Sequence, residues 1–77
     1  MSKPTRITNA IRALRFAHGE MTQAQLAERI GVTRQTVIAI EQGRYSPSLE
    51  MAFQIARVLQ VPLDEVFQYP DGEGEPR

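Results

Sequence analysis

Cysteine is absent from the 77 residues, and histidine occurs once, at His18. The first absence removes disulfides, thiolate metal sites and cysteine nucleophiles together, and it fits a reducing intracellular compartment. The second leaves nothing from which to build a metal cluster. A lone imidazole near a helix end, with no triad partner, makes no acid–base constellation, so neither an enzyme nor a cofactor-dependent protein is expected. Long apolar runs are missing too. Nothing approaches the ~20 residues of a membrane span or the apolar core of a secretory signal, so the expectation is a soluble, cytoplasmic protein without membrane association. The length allows one domain with a modest core, which 42% hydrophobic residues can supply.

Net charge is also lacking: nine bases balance nine acids. That counts against a polyanionic partner only until the charges are placed along the chain. Residues 1–48 hold Lys3, Arg6, Arg12, Arg15, Arg29, Arg34 and Arg44 against Glu20, Glu28 and Glu41, a net of +4. Residues 49–77 hold Arg57 and Arg77 against six acids, a net of −4. The basic half has the sign needed to face phosphates, although a charge run is as readily a solvated surface.

What is present is helical punctuation. Ile7, Ala10, Ile11 and Leu14 recur at helical spacing, predicting a first helix from about Thr5 or Thr8 to His18, ended by Gly19, with a basic outer face. Thr22 followed by Gln25 matches a capping box, in which each side chain satisfies a free amide at a helix start. That second helix buries Leu26, Ala27 and Ile30 and stops at Gly31, which is able to take positive φ. Only Val32 separates Gly31 from Thr33, the N-cap of a third helix with Val37 and Ile40 inward and Gly43 after it. Ser48 caps a fourth helix running to about Gln60, and Pro62 suits the first turn of a short fifth helix containing Leu63, Val66 and Phe67. Strand-like alternation is not evident. Residues 70–77 (PDGEGEPR) have nothing apolar to bury and are expected to form a short disordered acidic tail.

Two short helices joined by a tight glycine turn can offer the second helix to a DNA groove, although many helical hairpins do not. At 100° per residue, the outward face of the third helix carries Arg34, Gln35, Ile38, Ala39 and Gln42. Arg can bridge guanine O6 and N7, Gln can bridge adenine N6 and N7, and small or branched apolar groups can meet the thymine methyl. Arg34 has an alternative role on phosphate alone, and Ile38 an alternative role in partial burial against helix two. Gln35 is the cleaner candidate for specificity.

The stretch TQAQLAERIGVTRQTVIAIEQGRYSPSLEMAFQIARVL resembles the phage lambda-repressor and Cro-like helix-turn-helix family, also called the xenobiotic-response-element type. The likeness runs from about residue 7 to Phe67. It implies an all-α, compact five-helix DNA-binding domain over residues 1–69, with a helix-turn-helix unit at about 22–42 and a recognition helix at about 33–42. It further implies a transcriptional regulator, with repression the expected sign, acting by sequence-specific binding to double-stranded DNA. Gln23 would contact a phosphate and brace residue 34, Arg34, Gln35 and Ala39 would face base edges, and Thr33, Arg44 and Tyr45 would hold the backbone. Family members pair a basic residue near the end of helix one with the acid at Glu41. Arg15 fits that role if Gly19-Glu20-Met21 is one residue longer than the usual turn; otherwise Glu41 is an exposed helix-end residue. Ile38 departs from the family, where a small or polar residue is commoner.

Helix four is apolar on two sides. Leu49, Ala52, Phe53, Ala56 and Leu59 form one stripe; Met51, Ile55 and Val58 form another. Either the bundle covers both, or the second stripe meets another copy, joined by Leu63, Val66, Phe67 and Tyr69. The family resemblance favours a homodimer on a palindromic operator. A protein-interaction module or antitoxin-like adaptor on the same fold is the alternative. No small-molecule ligand is expected, because no ligand-binding domain follows helix five.

Overall fold

In the computed structural model, which describes residues 5–70, three helices start where a side-chain oxygen replaces a missing backbone acceptor. At α2 (Gln23–Ile30), Thr22 Oγ1 accepts from the Gln25 amide at 3.0 Å and Gln25 Oε1 accepts from the Thr22 amide at 2.8 Å, a complete capping box. Thr33 caps α3 (Arg34–Glu41) through the Thr36 amide, and Ser48 caps α4 (Leu49–Leu59) through the Met51 amide. Gly31, at φ 77°, ends α2 in the left-handed region, where an L side chain would be strained, and lets the chain reach Thr33 two residues later.

The first helix departs from the periodicity. α1 spans Ile11–Ala17 rather than beginning at Thr5 or Thr8. Residues Thr8–Asn9 form instead a short strand, β1, paired antiparallel with β2 (Phe67–Gln68) in the register Thr8 to Gln68 and Asn9 to Phe67. Asn9 accounts for the late start: its Oδ1 accepts from the Ile11 amide at 3.1 Å while its Nδ2 donates to the Ile40 carbonyl at 3.0 Å. Those bonds hold it in extended backbone at the foot of α3. The same ribbon removes Phe67 from the fifth helix, so α5 is Leu63–Val66, with Pro62 as its N-cap. Of the expected tail, only Pro70 falls within the described residues.

Ile11, Leu26, Val37, Ile40, Ile55 and Val66 are fully enclosed, so all five helices contribute to one core. On α4 the buried face is Ala52, Ile55, Ala56 and Leu59, at spacings i, i+3, i+4 and i+7, packed against α2 and α5. This corrects the two-stripe reading. Ile55 (1% exposed) and Val66 (0%), both expected at an interface between copies, lie inside the single chain. Leu49 and Phe53, which share the first stripe with Ala52, Ala56 and Leu59, are 69% and 54% exposed. Met51, Val58, Leu63 and Phe67 are half-buried at the edge of the core, and Tyr69 is exposed.

Candidate nucleic-acid interface

α3 is anchored on its inner side by Val37 and Ile40 and leaves Arg34 and Gln35 exposed, with Ile38 and Ala39 half-buried beside them. The candidate residues divide along its two flanks. On one flank Gln35, Thr36, Ala39, Arg44 and Tyr45 line a single shallow depression, which brings base-edge and backbone candidates together. On the other, Arg34 shares a broader groove with Gln23, Gln42 and Arg12. Arg12 went unnoticed as an individual candidate in the sequence; its only signal is the basic outer face of α1.

Several of these side chains are already held by hydrogen bonds. Thr33 Oγ1 accepts from the Thr36 amide at 3.2 Å and lies 3.1 Å from the Thr36 hydroxyl, so it sets the helix start while remaining exposed. Arg44 donates from Nε to Gln42 Oε1 at 2.8 Å, which aims the guanidinium and leaves its two terminal nitrogens for other acceptors. Gln42 is thereby occupied as an Arg44 support. The loop carrying Arg44 and Tyr45 is fixed by the end of α3, where the Arg44 amide donates to Ala39 O at 3.0 Å and Gly43 takes φ 74°.

Beneath the face lies a closed polar network. Arg15, only 5% exposed, donates from Nε to Glu41 Oε2 at 2.7 Å, from Nη2 to Glu41 Oε1 at 3.2 Å, and from Nη1 to Met21 O at 2.7 Å. Gln23 Nε2 also donates to Glu41 Oε1, at 3.2 Å. The fork-on-carboxylate geometry satisfies both buried charges and ties α1, the start of α2 and the end of α3 together. Glu41 is therefore not an exposed helix-end acid. The longer turn accommodates this register by placing Gly19 and Glu20 in succession at positive φ, 73° and 56°. Gln23 braces Glu41 rather than residue 34: among the described residues no hydrogen bond joins Gln23 to Arg34, although the two line one groove. With one amide hydrogen given to Glu41, Gln23 keeps a second for an outside acceptor.

A helix-turn-helix family model matches residues 11–66, from the first residue of α1 to the last of α5. The chain belongs to the lambda-repressor-like helix-turn-helix family of DNA-binding transcriptional regulators. An uncharacterised helix-turn-helix-type transcriptional regulator of Methanocaldococcus jannaschii is 46% identical over 65 residues, covering 84% of this chain and 97% of that protein. Among solved structures, a DNA-binding protein assigned as such in Bacteroides fragilis superposes with a TM-score of 0.70 at 26% identity, over 80% of this chain and 98% of the other. The restriction-modification controller protein C.AhdI of Aeromonas hydrophila gives a TM-score of 0.65 at 33% identity, over 71% and 78%. Among the described residues there is no group of three potential metal-ligating side chains, and no helix is long and apolar enough to cross a membrane.

Proposed function

We propose that this helix-turn-helix regulator binds double-stranded DNA sequence-specifically by laying α3 in the major groove, and that it acts as a repressor. The observation that carries the reading is the state of the α3 face: Arg34 and Gln35 are exposed, and Glu41, the acid of that helix, is consumed internally by Arg15 and Gln23. Gln35 reads a base edge, with Arg34 contributing to guanine or phosphate, and Ile38 and Ala39 contacting thymine methyl groups. Thr33, Arg44, Tyr45 and Gln23 hold the sugar–phosphate backbone and fix the register. Repression follows most simply, because a protein seated in the groove excludes others from the same DNA.

The reading includes a homodimer on a palindromic site, with half-sites about 34–36 Å apart. Its support is a mostly apolar depression lined by Ile7, Pro47, Leu49, Ala52, Leu63, Asp64 and Phe67, together with the exposed Phe53 on α4. Met51, Val58 and Tyr69 remain peripheral candidates, whereas Ile55 and Val66 do not. Titration of duplex affinity against salt tests the function. Phosphate contacts make log K fall linearly with log salt; a protein-interaction adaptor with no DNA role gives no duplex binding to titrate, and that result would remove the proposal.

A further inference from the structure

Phe16, on α1, is 53% exposed and stands outside the core. Its ring lies against two cations. The Arg15 guanidinium sits 5.6 Å from the ring centre and the Arg12 guanidinium 5.7 Å from it. Both are within the ~6 Å over which a cation is attracted to an aromatic face. Arg15 is itself pinned, because Glu41 and the Met21 carbonyl take all three of its nitrogens. The ring is therefore fixed on the closed polar network, and Arg12, one helical turn before Phe16, is held by the ring.

Arg12 lines the groove that α1, the start of α2 and α3 enclose, together with Arg34 and Gln23. Arg12 and Arg34 are exposed, and among the described residues neither has an ion-pair partner. Two acids line the same groove. Arg15 neutralises Glu41, which leaves Glu20, in the turn after α1, against Arg12 and Arg34, so the groove is net positive. We propose that Arg12 is a further DNA backbone contact, gripping a phosphate on the strand that Gln23 touches, and that Phe16 is the positioning residue that holds it there. The inference rests on the DNA-binding reading of α3 and deepens it by making α1 part of the interface. An arginine offers phosphate oxygens a planar fork of N–H donors, and a ring that restrains its long side chain reduces the rotamer freedom lost on binding. A phosphate contact carries no sequence information. Arg12 thus adds affinity and fixes register, while base choice stays with Gln35.

The test is affinity against salt for the parent chain, Arg12→Gln, Phe16→Leu, Phe16→Tyr and Arg57→Gln, on a selected duplex and on unrelated DNA. Arg57 is exposed on α4, so its variant removes the same charge from a different helix. Arg12→Gln is expected to bind both DNAs about 5- to 10-fold more weakly at low salt and to flatten the slope of log K against log salt by about 0.9, the share of one phosphate. Phe16→Leu is expected to lose about 2- to 4-fold with the slope retained, because the charge remains and only its brace is gone. Phe16→Tyr keeps the ring and is expected to bind as the parent does, and Arg57→Gln is expected to keep the parent's slope. An unchanged slope in Arg12→Gln, or an equal flattening in Arg57→Gln, overturns the Arg12 contact while the reading of α3 stands. Parental affinity in Phe16→Leu overturns the positioning role of the ring. If the parent chain binds no duplex, the reading of α3 fails and the Arg12 contact falls with it.

Discussion

Arg15 and Gln35 represent the two kinds of residue on which the interface depends. Arg15 never reaches the surface; it spends all three guanidinium nitrogens on Glu41 and the Met21 carbonyl. Replacing it with Met strands a carboxylate whose side chain is only 9% exposed, and the expected loss is about 3–5 kcal/mol in urea unfolding. The double variant Arg15→Met, Glu41→Leu is expected to recover much of that, because no charge is left buried; a loss under about 1 kcal/mol in the single variant would place the pair among surface ion pairs. Gln35 touches nothing the fold requires. Gln35→Ala is expected to leave the unfolding curve unchanged and to cost about 1–3 kcal/mol on the preferred duplex, with little change on unrelated DNA.

The helices were legible where their signals are local. Thr22 with Gln25, Thr33 and Ser48 act within one turn, and each caps the helix it precedes. The ribbon was not, because Thr8 and Gln68 are brought together by the finished bundle, and no pattern within residues 5–18 distinguishes an extended Asn9 from a helical one. The inner face of α4 was misjudged for a related reason. Apolar residues surround much of that helix, so which of them is enclosed depends on where α2 and α5 lie, and they select Ile55 over Phe53. Likewise the flank shared by Arg34, Gln23 and Arg12 is assembled from three helices. One element carries strain that a substitution can release: Gln60 ends α4 at φ 60°, ψ 42°, a left-handed conformation that costs an L residue about 1–2 kcal/mol. Gln60→Gly is expected to raise stability by about 0.5–1 kcal/mol, read as a higher urea midpoint at constant m; a lower midpoint would contradict it.

At the scale of the whole molecule, the α3 side carries the proposed base-reading face and the α4 side carries exposed apolar surface at Leu49 and Phe53. Leu49 is central to the second side. Leu49→Lys is expected to change monomer stability by no more than about 0.5 kcal/mol, as befits an exposed position, while shifting sedimentation at tens of micromolar from dimer to monomer. A variant that still sediments as the parent does would remove that surface as the interface. The most direct test of the account is selection of bound duplexes from a random DNA pool. The expected result is a two-fold symmetric consensus with half-site centres about 10–10.5 base pairs apart, lost or relaxed within each half when the selection is repeated with Gln35→Ala. A pool that yields no enriched sequence, or the same consensus with both chains, would contradict the assignment of α3 as the helix that reads bases.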